Sequence, residues 1–424
     1  MSRYKPYSKY RESGVEWLGE MPGHWEVKKL KYIAHTQPSN IDKKSKDDEP
    51  DVLLCNYTDV YYNDFITNDM DFMKATATYD QINKFKLDVG DVIITKDSEG
   101  PEDIAMAAYV KETQDNLVCG YHLTLIKPTG SDGAYLFRAI NSAGIHDQFK
   151  VAANGITRYG LSVYGIDNAL LLLPSPKEQT TIASFLDHET AKIDTLIDKL
   201  QRLIALLKEK RQAVISHAVT KGLDPNVKMK DSGVAWLGEV PEHWRVLKIK
   251  NYGLYRSGDF ISADQIEHEG KYPVLGGNGL RGYAEKYNLE GEYVLIGRQG
   301  ALCGNINYST GKFWATEHAI VVRHDSKKIA VRWLGEILRT MNLNQYSVSA
   351  AQPGLAVENI VNQIGILPPL TEQKTIAEYI EYETTKIDTL IEKANQSINL
   401  LKERRTALIS AAVTGKIDVR EAVA

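Results

Sequence analysis

The chain repeats itself, and this constrains its fold more than any other feature. Residues 13–31, SGVEWLGEMPGHWEVKKLK, match residues 232–250, SGVAWLGEVPEHWRVLKIK, at 13 of 19 positions and an offset of 219. Residues 178–220 match 372–414 at 26 of 43 positions and an offset of 194. A repeat of this size means that one structural unit occurs twice. Each copy runs from a tryptophan motif through a variable region to a long segment with helical patterning. The offsets differ by 25, so the first variable region, roughly 32–170, is longer than the second, roughly 251–365. A chain that keeps its frame twice and changes its insert twice is expected to use the inserts to recognise two different things.

The repeated long segments carry a heptad stripe. In the first, Ile193, Ile197, Leu200, Ile204, Leu207, Val214 and Ala218 fall at three- and four-residue steps, with Arg211 at the one interruption. In the second, Ile387, Ile391, Ala394, Ile398, Leu401, Arg405, Leu408 and Ala412 take the same steps. That is an a/d seam of period 3.5. Prolines precede both segments, and Gly222 and Gly415 sit just past their ends, where helices commonly stop. One such helix cannot bury its own stripe. Two copies in one chain are expected to pack on each other, and the globular region between them favours an antiparallel pair.

Composition sets limits on the rest. At 424 residues the chain is long enough for two or three domains, and 43% hydrophobic content can fill real cores. The formal charge is −4, which argues against binding nucleic acid through overall charge. Cys55, Cys119 and Cys303 are far apart and show no zinc-ligand spacing, so buried thiols in a reducing compartment are expected. No apolar run, Ala169–Leu173 included, is long enough to span a membrane, and the first residues have no signal-peptide core. A cytoplasmic protein with no membrane association is expected.

The variable regions read as mixed α/β, with short strands at Asp91–Thr95, Gly120–Ile126, Tyr293–Ile296 and His318–Val322 and short helices at Ala134–Ala143 and Val331–Met341. Gly90–Thr95 aligns with Gly291–Ile296, Tyr121-His122 with Glu317-His318, and 153–166 with 351–360. The glycine loops GGNGLRG and GRQGALCG match neither dinucleotide nor P-loop patterns. No [DN]PP[FYW], HExxH, GxSxG or kinase set is present, so the residues give little support to an enzyme.

At this point the motifs resemble a known family over nearly the whole chain. The doubled SGVxWLGExPxHW element, LPSPKEQTTIASFLD, LPPLTEQKTIAEYIE and the loops YPVLGGNGLRGY, YVLIGRQGALCGNI and FWATEHAIVV are similar to those of the DNA-specificity (S) subunit of type I restriction–modification enzymes. The resemblance implies an α+β fold. Two mixed α/β target recognition domains would be separated by two long helices packed as an antiparallel coiled coil, with an internal pseudo-twofold repeat. The expected domains are 1–170, a tryptophan motif plus the first recognition domain; 171–222, the first spacer helix; 223–365, the repeated motif plus the second recognition domain; and 366–424, the second helix and tail. It further implies a non-catalytic subunit that reads bipartite double-stranded DNA, one half-site per domain. Two methyltransferase subunits and restriction/translocase subunits would be its partners. S-adenosylmethionine, ATP and magnesium would belong to those partners, with no cofactor and no metal in this chain.

Base edges are read mostly by Arg, Lys, Asn, Gln and His on loops. The candidates are Lys96, Ser98, Tyr121, His122, Asn154, Thr157 and Arg158 in the first domain. In the second they are Asn278, Arg281, Arg298, Gln299, His318 and Gln352. Trp17, Trp25, Trp236 and Trp244 are expected to be packing anchors, because a repeated frame cannot encode the sequence being read. The competing expectation is a coiled-coil scaffold whose two domains bind proteins. It rests on charge: residues 32–165 hold 12 Lys/Arg against 20 Asp/Glu, and residues 251–355 hold 11 against 10.

Overall fold

The computed structural model describes residues 4–300, 302–347 and 354–422. By their contacts the residues divide into two compact units, Met1–Leu200 with Gln396–Ala424, and Gln201–Asn395. Both cuts fall inside long helices. Each unit therefore holds one tryptophan motif, one variable region and parts of both helices.

The helices run Pro176–Lys221 and Leu370–Val413, 46 and 44 residues. Pro176 opens the first, where its missing N–H costs nothing. Gly222 and Gly415 follow the C-terminal ends with φ of 80° and 70°, a left-handed conformation that lets the chain leave the helix without Cβ strain. The expected seam is the one that is covered. Ile193, Ile197, Leu207, Ala218, Ile387, Ala394, Ile398 and Ala412 are buried, whereas off-seam Leu196, Leu206, Leu390 and Leu400 are exposed.

The helices pair antiparallel within each unit. In the first unit, Ile182 and Leu186 share a core with Ile409 and Val413, and Asp194 meets Arg405 further along. In the second, Ile215 and Val219 share a core with Ile376 and Ile380, and Arg211 meets Asp388. In both, one helix ascends in number as the other descends. The α+β class and the antiparallel pair expected from the sequence are both present.

The tryptophan motifs lock these helix ends. Trp25 and Trp244 are fully buried. A Cβ on Gly415 would lie 2.4 Å from Pro22, and one on Gly222 3.3 Å from Trp244, so each motif sits on the glycine that ends a helix. The Glu of each repeated EQ pair grips the same motif: His24 Nε2 lies 2.9 Å from Glu178, and His243 Nε2 lies 2.7 Å from Glu372. The Gln grips the variable region. Gln179 Oε1 accepts from the Asp132 N–H at 2.8 Å, and Gln373 Oε1 accepts from the Ala330 N–H at 2.8 Å, each at the start of a helix. Trp17 and Trp236, also expected to be packing anchors, are only partly covered, at 43% and 38% exposed. The Trp17 ring rests on Gly144 at the surface.

Each variable region is built on a sheet with the same strand order. In the first unit the order is Ala34–Pro38, Leu123–Pro128, Val92–Thr95, Ala107–Val110, then the short strand Phe65–Ile66. In the second it is Gly253–Ser257, Ala319–His324, Tyr293–Gly297, Ile306–Ser309. The four shared strands are antiparallel throughout in both units. The inserts differ. Between the first strand and its counterpart of Val92–Thr95 or Tyr293–Gly297 lie 53 residues in the first unit and 35 in the second. The former supply two short helices and two strands of a three-stranded sheet that Leu117–Cys119 completes, the latter three strands of a four-stranded sheet that Lys312–Ala315 completes. Most of the length difference seen in the sequence lies there.

Two local expectations shift. Gly120–His122 is not strand: the strand begins at Leu123. A Cβ on Gly120 would lie 2.6 Å from the Cys55 carbonyl oxygen, and His122 takes φ of 72°, so packing forces the backbone out of extended form. The helix expected over Ala134–Ala143 runs Gly133–Ile140 and stops, and a second helix, Ala143–Ala152, starts after Ser142.

Candidate nucleic-acid interface

The shared sheet delivers three loops to one edge in each unit. In the first, the Lys96 N–H donates to the His122 carbonyl at 2.9 Å, and the Leu161 N–H donates to the Lys96 carbonyl at 2.8 Å. In the second, the Arg298 N–H donates to the His318 carbonyl at 2.9 Å, and the Leu355 N–H donates to the Arg298 carbonyl at 2.8 Å. The same backbone junction is thus made twice. It equates Lys96 with Arg298, Asp97 with Gln299, and His122 with His318. The alignment of Gly90–Thr95 with Gly291–Ile296 is corrected by one residue, because Thr95 pairs Leu123 as Gly297 pairs Ala319. The alignment of His122 with His318 stands.

In the first unit Lys96, Tyr121, His122 and Arg158 converge. Lys96 Nζ lies 4.8 Å from the Tyr121 ring centroid and 3.3 Å from the Ser39 carbonyl. The Tyr121 and His122 rings are 4.0 Å apart, and an Arg158 nitrogen lies 3.2 Å from His122 Nδ1. Thr157 is exposed and lines, with Arg158, Tyr57, Tyr61, Tyr62 and Asp103, a cleft of about 500 Å³. The other two candidates are spent on turns. Ser98 is buried and donates to the Gly100 carbonyl at 2.6 Å. The Asn154 amide donates to the Ala152 carbonyl at 2.9 Å, and its backbone pairs with Gly160.

In the second unit the glycine hairpin closes on the junction. A Cβ on Gly277 would lie 2.7 Å from the His318 carbonyl oxygen and 3.3 Å from the Arg298 nitrogen, so only glycine permits this approach. That places exposed Asn278 beside Arg298 and His318. Arg281 is exposed, its stem lying over Gly276. Gln299 Oε1 lies 2.9 Å from His318 Nδ1, and Glu317 Oε1 lies 3.1 Å from His318 Nε2. Gln352 lies outside the described residues.

Sequence reasoning passed over Asp97 and Glu317. Asp97 approaches His122 Nδ1 at 2.6 Å and Arg158 at 3.7 Å. Its signal was its place, directly after Lys96 in the loop that aligns with GRQG. Among the described residues no group of three or more His, Cys, Asp or Glu side chains is placed to hold a metal ion, and no helix is long and apolar enough to cross a membrane.

The family model described as the type I restriction modification DNA specificity domain matches residues 22–205 and 241–400. The chain belongs to this family. Both variable regions, each with the greater part of its long helix, lie within the matched segments. The EcoprrI specificity subunit of Escherichia coli is 45% identical over 139 residues, covering 32% of this chain and 33% of that one. A putative MjaX specificity subunit of Methanocaldococcus jannaschii is 22% identical over 421 residues, covering 95% and 96%. Among solved structures, the HsdS subunit from Thermoanaerobacter tengcongensis superposes with a TM-score of 0.57 at 15% identity, over 96% of this chain and all of that one. A chain from a study of assembly and conformational transition in the type I R-M system gives 0.69 at 16% identity, over 93% and 98%. These likenesses support the fold, and the family assigns the two domains to DNA sequence specificity.

Proposed function

We propose that this chain reads a bipartite DNA site, one half per recognition domain, and docks the subunits that modify and cut the DNA. The observation that carries the reading is the junction made twice by the same backbone hydrogen bonds and furnished with different side chains: Lys96, Asp97 and His122 against Arg298, Gln299 and His318. A common frame with exchanged loop chemistry is what two half-sites of different sequence require. The remaining candidates around each junction, among them Thr157, Arg158, Asn278 and Arg281, complete the base-reading loops, and Ser98 and Asn154 shape them.

Partner docking is supported by the off-seam leucines. Leu196 and Leu390 occupy equivalent repeat positions and are 45% and 51% exposed; Leu206 and Leu400 are equivalent and 61% and 64% exposed. Apolar side chains left outside a helical pair twice over suit two equivalent protein partners, the methyltransferase subunits. Restriction/translocase subunits complete the assembly. This chain then supplies no chemistry, and S-adenosylmethionine, ATP and magnesium act in its partners. The four-segment division at 170, 222 and 365 is a functional one, separating readers from spacers.

The test is exchange of residues 32–170 for those of a subunit with another specificity, followed by mapping of methylated adenines in the host. One half of the methylated motif should change and the other stay. A change in both halves, or in neither, would refute one domain per half-site.

A further inference from the structure

The twofold junction singles out a pair of side chains with opposite roles. In the first unit the Asp97 carboxylate lies 2.6 and 2.8 Å from His122 Nδ1. A carboxylate only accepts, so Nδ1 carries the proton and donates. Among the described residues, His122 Nε2 has no partner. The ring is packed against Tyr121 at 4.0 Å, and its backbone is held at φ of 72°. The same Asp97 lies 3.7 Å from the Arg158 guanidinium, whose 3.2 Å approach to Nδ1 is therefore a neighbour contact between two donors that share one acceptor. Asp97 is 16% exposed and His122 30%, so the pair is recessed beneath the exposed Arg158.

In the second unit the equivalent side chains hold His318 at both nitrogens, Gln299 at Nδ1 and Glu317 at Nε2. There the histidine, although 41% exposed, has both ring nitrogens engaged, and among the described residues the amide N–H₂ of the exposed Gln299 has no partner. One frame thus offers the imidazole in the first domain and the carboxamide in the second.

We propose that Asp97 is the positioning residue of the first domain's reading loops, fixing His122 with Nε2 outward. A neutral imidazole so held accepts a hydrogen bond at Nε2, and its complement in the major groove is the exocyclic amino group of adenine or cytosine. The proposal rests on the DNA-reading function above and adds the atom that reads and the residue that aims it. It also gives the acidic character of the first domain a use: a carboxylate here orients two reading groups.

The test uses the full chain assembled with its methyltransferase subunits, acting on a library of randomised DNA whose methylated adenines are sequenced. His122→Ala and Asp97→Ala should relax the same single position of one half-site, by about fivefold to about a hundredfold in preference, and leave the other half unchanged. Asp97→Asn should largely retain that preference, because an amide oxygen accepts from Nδ1 as Gln299 does in the second domain. With the wild-type complex, a base lacking its exocyclic amino group at that position should weaken binding by a similar factor, and by no further factor with His122→Ala. Unchanged preference in His122→Ala, relaxation of different positions by the two alanine variants, or loss of preference in Asp97→Asn would each overturn the proposal. A wild-type complex with no sequence preference would instead overturn the DNA-reading function itself.

Discussion

Glu178 and Glu372 occupy the same place in the two repeats and share the equivalent histidine, but each takes a different second partner. Glu372 accepts from the Trp244 indole N–H at 2.8 Å, whereas Glu178 accepts from the Tyr7 hydroxyl at 2.8 Å, leaving the buried Trp25 indole nitrogen without a partner among the described residues. The Tyr7 hydroxyl, buried and beside Glu178, is held well above the ordinary tyrosine range. Of the two neighbouring glutamines, Gln373 makes the fuller set of bonds. Gln373 is completely buried and serves the carbonyls of Pro368 and Lys328 and the N–H of Ala330. Gln373→Ala should cost about 1–3 kcal/mol by orphaning those groups, read as a lowered denaturant midpoint of the full chain. His146 gives a pH dependence. Burial holds its imidazole below the ordinary value, and Nε2 lies 2.6 Å from the Ile104 carbonyl. A histidine whose folded pKa is depressed contributes stability above the unfolded value, near 6.5, that is lost as pH falls through it. Stability should therefore drop between about pH 7 and 5, and His146→Gln should flatten that drop.

The long helices were legible as elements because their signal is local. A stripe of period 3.5, a proline at the start and a glycine at the end act within a few turns of the backbone. The arginines that break the stripe were legible only as interruptions. In the structure they are the polar contacts of the seam: Arg211 reaches Asp388 at 3.0 Å, and Arg405 reaches Asp194 at 3.0 Å and also Asp64. Asp64 and Arg405 are 341 residues apart, beyond any periodicity. Arg405 serves two carboxylates and is 24% exposed, against one carboxylate and 36% for Arg211. Double-mutant cycles should give a coupling of about 0.2–1 kcal/mol for Arg211 with Asp388, and Arg405→Ala should destabilise the chain more than Arg211→Ala. Equal losses would mean that the Asp64 contact adds nothing. At the same scale, the reading loops were only half legible. Their glycines and basic residues stood out, but Gly120–His122 passed for strand because the close approach to Cys55 that breaks it leaves no mark in the local pattern.

Across the whole molecule, charge is unevenly shared: residues 32–165 carry 12 basic against 20 acidic residues and residues 251–355 carry 11 against 10. Few phosphates can be neutralised by such domains alone. The isolated chain should therefore bind DNA weakly. Its complex with methyltransferase subunits should bind with a logarithmic affinity that falls steeply and linearly with the logarithm of salt concentration. Titration of both across a salt series measures this, and comparable binding by the chain alone would show that the grip lies in this subunit.

The duplication, the two helices, their antiparallel pairing and the family were set out by the sequence alone. Each depends on patterns repeated within a segment or copied between segments, and identity at fixed offsets needs no coordinates to be seen. Tertiary structure alone decided which side chains meet at the sheet edge. Asp97 counted in the sequence as one more acid in an acidic domain. Folding brings it to His122, 25 residues on, and to Arg158, 61 residues on, and a hydrogen bond between residues so separated is fixed by the packing of strands rather than by neighbours in the chain.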